Sequence, residues 1–293
     1  MFKKINEHLT FLQGVNGGKV PHANSLLVRD EVTAIIDTGA DRRDLEEVAF
    51  RWAPDLVINT HFHIDHSRGN SLFTGAKIMA HPWDAQALAS EENFLAASGL
   101  YLLGTDYVKN YFYSRGSLPV CRVNEFLSDG EVLDFGATKV RVIHTPGHTP
   151  GHCAFFFEEE EILFAGDIDL TPFGPWYGNP DADIVAFRES IIKLRDLQPK
   201  MVLTGHLEPV TEDITRRFNQ YLAVLDQRDE LLLAFLREPR TLEDIVAAKL
   251  IYRKHPEPEL VFRFFEEMMV RKHLAKLERE GLIAAQEGVY FAL

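Results

Sequence analysis

Three histidines and an aspartate lie within six positions of the segment THFHIDHSRGN, residues 60–70. The four side chains are His61, His63, Asp65 and His66. Residues two positions apart in an extended chain point to the same side, so His61 and His63 could bind one ion together. Neutral imidazoles and a carboxylate suit a borderline divalent cation such as zinc. The segment therefore indicates either a metal site or an unusually polar turn.

Three further segments place the same residue types after apolar, β-rich runs. VIHTPGHTPGH contains His144, His148 and His152, LFAGD ends in Asp167, and VLTGH ends in His206. Loops at the rim of a sheet are where catalytic groups usually lie. Four strands that each deliver a ligand to one rim would gather distant residues at one site. This arrangement favours the metal site over the polar turn.

The rest of the pattern predicts a scaffold that brings these strand ends together. Apolar runs such as NSLLVRD, EVTAIIDTG and DLVINT alternate with helical segments up to about residue 213. Two runs of strands, each followed by helices, predict two packed sheets with helices outside. The segment 83–120 is a long insert of mixed helical and loop sequence, which is typical of a lid or a pocket wall.

After about residue 213 the chain becomes nearly all helical. Three helical segments, the second of which (TLEDIVAAKL) opens with a Thr-x-x-Asp capping pattern, precede two short strands around a Gln-Glu-Gly turn. Three helices and a β-hairpin are typical of a winged-helix module. We therefore predict two domains, residues 1–213 and 214–293.

The HxHxDH segment and the later GH, GD and GH pairs, taken in order, resemble the metallo-β-lactamase superfamily. The resemblance runs from about residue 10 to residue 210. It implies an α+β fold, a four-layer αββα sandwich that holds two metal ions at one sheet edge. The C-terminal region, with HLAKLEREGLI as its characteristic part, resembles that of the β-lactamase-like proteins with a C-terminal winged helix.

The resemblance also implies a role for each ligand. The seven ligands form two sets joined by a bridging carboxylate: His61, His63 and His148; Asp65, His66 and His206; and the bridging Asp167. In relatives, the residue equivalent to Asp37 supports the metal site by binding a ligand, whereas turn chemistry alone is the alternative reading of IIDTG. His144 and His152 have no ligand position in this pattern and are expected to be structural or to support a ligand.

The chemistry implied by this site is hydrolysis. Two divalent cations close together lower the pKa of a shared water and polarise the oxygen of the group that is attacked. We expect a metal-bridging hydroxide held by Asp167, with Asp65 also able to accept a proton. Zinc is the expected metal, and iron or manganese is the alternative. The only cysteines, Cys121 and Cys153, are too few for a disulfide framework or a thiolate zinc site.

The substrate is predicted to lie under DLTPFGPWYGNP, residues 169–180. Phe173, Trp176 and Tyr177 could line an apolar pocket wall, and the Tyr177 hydroxyl could help to polarise a substrate carbonyl. A Pro/Gly turn packed by its own aromatic side chains is the alternative. A small ester, thioester or lactone is the leading substrate class, since thioester hydrolases of the glyoxalase II type share HTPGHTPG.

Two other functions remain open. One is an endoribonuclease that cuts single-stranded RNA guided by the winged helix, and the other is a non-catalytic sensor of metal or ligand. Residues 1–213 hold 18 Lys and Arg against 31 Asp and Glu, and residues 214–293 hold 13 against 13. This acidic body argues against nonspecific nucleic-acid binding, which needs a basic surface. A lid or a homodimer contact is the simpler role for the winged helix.

The sequence carries no address to a membrane or to export. No apolar run reaches the ~18–20 residues of a transmembrane helix. The start, MFKKINEHLT, lacks the apolar stretch of a signal peptide. We therefore expect a cytoplasmic protein with no membrane partner.

Overall fold

The computed structural model describes residues 2–104 and 118–293, and two β-sheets form the body of the protein. The first sheet has seven strands in chain order: β1 (Phe2–Lys4), β2 (Leu9–Leu12), β3 (Ser25–Arg29), β4 (Thr33–Ile36), β5 (Leu56–Ile58), β6 (Lys77–Ala80) and β7 (Glu125–Phe126). The second has five strands in the order β12-β11-β10-β9-β8: β8 (Val132–Asp134), β9 (Lys139–His144), β10 (Cys153–Phe157), β11 (Ile162–Phe164) and β12 (Met201–Leu203).

The helices of the described residues lie between and after these strands. In chain order they are α1 (Val15–Gly18), α2 (Arg42–Trp52), α3 (Ile64–Ser67), α4 (Pro82–Leu88), α5 (Glu91–Ser98), α6 (Ile184–Asp196), α7 (Ile214–Phe235), α8 (Leu242–Ala247) and α9 (Glu259–Arg279). Two 3-10 turns lie at Asn70–Leu72 and Leu100–Leu103. None of the helices in this described part is long and apolar enough to cross a membrane.

Apolar side chains join the two sheets face to face. Phe11 and Leu26 of the first sheet pack in one cluster with Phe155 of the second. Successive residues of a strand point to opposite faces, so Phe156 of β10 lies in a different cluster, with α6. A strand buried on both faces reads as a continuous apolar run, which explains the sequence CAFFF.

A helix covers the outer face of each sheet. Leu45 and Val48 of α2 pack on the first sheet, and Phe187 and Ile191 of α6 pack on the second. The Asp41 side chain caps α2 by accepting a hydrogen bond from the backbone N–H two residues later, as expected for an N-cap aspartate. The resulting layers, helix–sheet–sheet–helix, confirm the prediction of a mixed α+β sandwich.

Strand direction brings the polar strand ends to one edge. Strands β4 and β5 are parallel, and so are β11 and β12. Their carboxyl ends are followed by Asp37, His61, Asp167 and His206 respectively. Asp37 and His61 therefore leave the first sheet at the same edge, and Asp167 and His206 leave the second sheet at the same edge.

The C-terminal region packs directly on the sandwich. It contains α7, α8, α9 and a three-stranded sheet in the order β13-β15-β14: β13 (Arg240–Thr241), β14 (Ile283–Gln286) and β15 (Val289–Ala292). The expected capping box is present, with Thr241 and Asp244 bonded to each other's backbone. Phe218 of α7 lies in the same cluster as Phe187 of α6. The apolar core therefore continues across residue 213, where the domain boundary remains a prediction.

The insert packs against the C-terminal region. Residues 83–104 contain most of α4, all of α5 and a 3-10 turn, and Phe94 of α5 shares a cluster with Phe264 of α9. Residues 105–117 lie outside the described residues. The role of the insert as a lid or a pocket wall therefore remains a prediction.

Candidate metal centre

Side chains from four loops meet at the edge where the parallel strands end. They form two sets, which we call the first set and the second set: His61, His63, His148 and Asp167; Asp65, His66 and His206. Within each set, the atoms able to bind a metal lie within 4.8 Å of one another. All seven ligands expected from the sequence therefore lie together.

The Asp167 carboxylate faces both sets at once. Its Oδ2 atom lies 3.2 Å from His148 Nε2 and 3.9 Å from His61 Nε2. Its Oδ1 atom lies 2.8 Å from His66 Nε2 and 3.3 Å from His206 Nε2. One carboxylate thus presents one oxygen to each set, which is the arrangement that a bridging ligand requires.

Two buried atoms of this cluster lack an ordinary hydrogen-bond partner. His66 Nε2 and Asp167 Oδ1 are buried and lie 2.8 Å apart, and among the described residues neither forms a hydrogen bond of standard geometry. A divalent cation would satisfy both atoms, and its preferred ligands are those present here. The residues of the site therefore fit a metal ion.

Asp37 orients one ligand from behind. Its Oδ2 atom lies 2.7 Å from His66 Nδ1, and its carboxylate accepts hydrogen bonds from the backbone N–H and the hydroxyl of Thr60, each at 2.8 Å. A partner on Nδ1 fixes the ring and leaves the Nε2 lone pair for a metal. Asp37 itself has a φ of 58°, a left-handed conformation that few residues other than glycine adopt. The fold thus holds this aspartate in a costly conformation beside the ligand.

Main-chain oxygens orient two other ligands in the same way. His148 Nδ1 donates to the carbonyl oxygen of Trp176 at 2.8 Å. His206 Nδ1 donates to the carbonyl oxygen of Gly18 at 2.5 Å. Both imidazoles therefore direct Nε2 toward Asp167, and both are held in the tautomer that binds a metal.

Burial and charge set the protonation of the cluster. Burial lowers the pKa of His61 well below its usual value and that of His63 to about 3, so both are neutral, as ligands must be. Burial also disfavours the protonated form of His206, but Asp167 outweighs it and raises the pKa to about 10. Burial opposes ionisation of Asp167, yet His66 and His206 hold its pKa well below the usual range. Without a bound cation, the positive charges of protonated His66 and His206 therefore offset the negative charge of Asp167.

Both the sequence and the fold of the chain indicate its protein family. Residues 18–206 match the model of the Metallo-beta-lactamase superfamily. The chain belongs to this superfamily. The crystal structure of the metallo-beta-lactamase family protein TTHA1429 from Thermus thermophilus is similar, with a TM-score of 0.76 and 25% identity, over 99% of this chain and 100% of that one. The similarity therefore extends beyond the superfamily match to the C-terminal helices.

Two curated relatives in the superfamily are hydrolases. The acyl-coenzyme A thioesterase MBLAC2 of Bos taurus is 30% identical over 233 residues, which cover 69% of this chain and 79% of MBLAC2. The hydroxyacylglutathione hydrolase of Chelativorans is 29% identical over 146 residues, which cover 48% of this chain and 46% of that enzyme. These relatives confirm the prediction of a hydrolase of the metallo-β-lactamase superfamily.

The two remaining histidines of the HTPGHTPGH segment have different surroundings. His152 Nε2 accepts a hydrogen bond from the backbone N–H of Asp167 at 3.1 Å, and its Nδ1 lies 2.7 Å from the Thr145 hydroxyl. Both of its ring nitrogens therefore have partners within the chain, and one of these partners is the backbone of Asp167. His144 instead stacks on His81, with ring centroids 4.2 Å apart, and its Nε2 contacts a backbone carbonyl. Its role is structural.

The aromatic residues after the bridging aspartate only partly match the expected pocket wall. The Trp176 ring lies beside the ligands, with its centroid 5.5 Å from those of His63 and His148. Tyr177 is completely buried, and its hydroxyl contacts His273 Nε2 at 2.5 Å. The Tyr177 hydroxyl is thus occupied inside the core, which corrects the expectation that it polarises a substrate carbonyl.

Phe173 is half-buried and packs against residues of the C-terminal region. Its ring packs 5.1 Å from that of Tyr252, and the Arg228 guanidinium lies 4.8 Å from its centroid. Of the three expected wall residues, Trp176 is therefore the one that contacts the ligands.

Two polar residues that the sequence did not single out also hold the ligand loops. Asp84 is buried and accepts hydrogen bonds from Phe62 N at 3.0 Å and from Gly151 N at 2.7 Å, so it ties two ligand loops together. Burial raises its pKa to about 7. The Asn179 amide lies 2.7 Å from His63 Nε2. In the sequence, the position of Asn179 within DLTPFGPWYGNP was the one indication of a role at the site. Asp84 looked like an ordinary helix residue.

We expect Asp37→Ala to weaken metal binding about 10- to 100-fold, because His66 loses the partner that fixes its ring. The measurement is competition between the protein and a chelator of known affinity. Asp55→Ala is the matched control, since Asp55 binds the backbone of Thr33 at the opposite end of β4. An affinity equal in both variants would show that Asp37 does not orient the ligand.

Proposed function

We propose that this protein is a dinuclear metal-dependent hydrolase that cleaves a small ester, thioester or lactone. The observation that carries the proposal is the Asp167 carboxylate, which has one oxygen toward each set of ligands. Thioesters are the first class to test, because one relative is named an acyl-coenzyme A thioesterase and another a hydroxyacylglutathione hydrolase.

The two sets of side chains divide the work of the site. His61, His63 and His148 would hold one divalent cation, and Asp65, His66 and His206 the other, with Asp167 shared. Such a pair, most simply Zn²⁺ with iron or manganese as the alternative, supplies an acidified water and polarises a carbonyl oxygen. The chain itself contributes imidazoles held in fixed orientations and a carboxylate placed between the two sets, so that little reorganisation is needed at the moment of reaction.

Asp65 and Trp176 have further roles in this proposal. The Asp65 carboxylate lies 3.7 Å from His206 Nε2 and keeps 11% of its side chain exposed. It is therefore placed to accept a proton as well as to bind metal. The Trp176 ring, beside His63 and His148, gives the first set an apolar wall that limits access of water.

We assign the C-terminal helices and β-hairpin to the winged-helix type, with a supporting rather than a nucleic-acid-binding role. Several basic side chains of α9 pair with acidic side chains of the same chain. Arg271 pairs with Glu267, and Lys276 pairs with both Asp229 and Glu280. Acidic neighbours thus offset part of the basic charge of this helix, and no observation favours the RNA alternative.

Metal content and substrate turnover test the proposal together. Elemental analysis should find about two equivalents of zinc, manganese or iron per chain. A panel of acyl-coenzyme A and glutathione thioesters, lactones and a labelled single-stranded RNA is then tested with wild type and Asp65→Ala. Thioester turnover should disappear with a chelator, return with metal, and fall in the variant.

The outcomes separate the alternatives. A protein that contains no metal and takes none up contradicts the proposal, as does full activity in Asp65→Ala. Cleavage of the RNA that is lost in Asp65→Ala would support the nuclease instead. Asp55→Ala is again the control, because Asp55 bonds to a backbone N–H away from the ligand loops.

A further inference from the structure

Residues 173–180, which we call the strap, connect two metal ligands to the C-terminal helices. The Trp176 carbonyl accepts the hydrogen bond from His148 Nδ1, and the Asn179 amide lies 2.7 Å from His63 Nε2. Both histidines belong to the first set. The orientation of two of its three imidazoles therefore depends on the position of the strap.

A buried arginine holds the main chain of the strap from the other side. Arg228 of α7 has only 4% of its surface exposed. Its guanidinium donates to the carbonyl oxygens of Pro175 at 2.6 Å and Phe173 at 2.7 Å, and to the Tyr177 hydroxyl at 2.9 Å. Both carbonyls belong to residues just before Trp176, whose own carbonyl accepts the hydrogen bond from His148 Nδ1.

Such a placement of an arginine is costly unless its donors are satisfied. Arginine is almost never fully buried without partners, because the charge loses its hydration. The planar fork of a guanidinium can reach several oxygens at fixed angles, which a lysine ammonium cannot do. All the strap oxygens that Arg228 binds lie within five residues, so its directional bonds fix that stretch of main chain.

Other C-terminal residues support the same segment. Tyr177 contacts His273 of α9, whose Nδ1 in turn lies 2.6 Å from Asp229 Oδ1. The Trp176 indole donates to the Tyr252 hydroxyl at 2.7 Å. The strap thus lies between the ligands of the first set and a polar network of the C-terminal region.

We propose that Arg228 is a positioning residue for the first metal set. By fixing the strap, it fixes the Trp176 carbonyl that orients His148 and the Asn179 amide that contacts His63. The inference rests on the proposed metal centre, but it adds a selective requirement. The second set is held by Asp37 and by the Gly18 carbonyl, neither of which belongs to the strap. Arg228 therefore acts on one set and not on the other.

The selective effect is the expected result of Arg228→Met. Loss of a residue that orients a ligand from behind weakens metal binding about 10- to 100-fold. We expect this weakening at the first set, with a change of less than about threefold at the second. A general loss of stability would weaken both sets alike, so the difference between them is what identifies positioning.

The experiment is a Co²⁺ titration of the metal-free protein in the presence of a competing chelator, followed by visible absorption. His63→Ala and His66→Ala assign the two binding steps, because each removes a ligand from one set. Arg188→Met is the matched control, since Arg188 pairs with Asp226 and links α6 to α7 without contacting the strap. Thermal unfolding of the metal-free variants shows that each one is folded.

Arg228→Lys provides a second variant if Arg228→Met does not fold. The lysine ammonium keeps the charge but cannot reach all three oxygens. Binding of Co²⁺ at the first set should therefore weaken, but less than in Arg228→Met. If the wild type takes up two Co²⁺ and Arg228→Lys or Arg228→Met binds Co²⁺ at the first set with unchanged affinity, the role of Arg228 is contradicted. The proposed metal centre is not contradicted by that result. Wild-type protein that takes up no Co²⁺ would overturn the metal centre itself.

Discussion

Asp167→Asn is expected to lower the turnover of the best substrate about a thousandfold. The amide has the size of the carboxylate but no charge, and one of its ends is a donor that repels a cation. Asp167 directs one oxygen toward His148 and the other toward His66, so in the proposed centre both ions would lose a ligand in a single substitution. In metal-assisted hydrolysis the cations stabilise the transition state by several kcal/mol, and each ~1.4 kcal/mol of activation free energy is a factor of ten in rate.

The metal content of Asp167→Asn should fall together with its activity. We expect fewer than two equivalents by elemental analysis, whereas Asp129→Asn should keep both metal and activity. Asp129 is a suitable control because its carboxylate pairs with Lys193 at 3.0 Å on the surface. Full metal content with full activity in Asp167→Asn would show that this carboxylate does not bridge the sets.

That the seven expected ligand residues lie close together could be predicted from the sequence, because each one follows a recognisable strand. DLVINT becomes β5 and precedes His61, and MVLTG becomes β12 and precedes His206. Apolar, β-rich runs are local signals, and polar residues directly after them lie at a sheet edge whatever the long-range contacts are. The resemblance to the metallo-β-lactamase superfamily then indicated which strand ends must meet.

The supporting residues could not be predicted, because their partners are distant in the sequence. Arg228 is more than 50 residues from the strap oxygens that it binds. In the helical pattern it has the appearance of an ordinary charged surface residue. The prediction for the Tyr177 hydroxyl was wrong for a related reason. This hydroxyl lies in the core because α7 and α9 pack against the strap, and those contacts are distant in the sequence.

A count of charges does not show where an acidic residue of the last helix lies. Glu266 is one of the 13 acidic residues counted in residues 214–293. It is completely buried and accepts hydrogen bonds from the backbone N–H groups of Ile251 and Tyr252. It therefore fixes the loop that carries Tyr252, the acceptor for the Trp176 indole. A sequence reports the sign of a charge but not its surroundings.

Gly205→Ala is expected to remove the second metal ion while leaving the fold intact. An added Cβ at this position would lie 2.6 Å from His66 Cε1 and 2.9 Å from Asp167 Oδ1, closer than side-chain carbons approach other atoms. The backbone cannot retreat, because Gly205 N donates to the Gly166 carbonyl at 2.9 Å and Gly205 O accepts from Asn24 N at 2.7 Å. The ligands must move instead.

A ligand displacement of about 1 Å can reduce activity about a hundredfold, and we expect a loss of that order. Metal content should fall toward one equivalent, whereas the thermal unfolding of the metal-free protein should change little. Gly75→Ala is the matched control, since a Cβ there meets nothing within 4 Å. If Gly205→Ala instead kept both metal ions and wild-type turnover, His66 and Asp167 would not need their present separation, and the close packing of the second set would have no catalytic meaning.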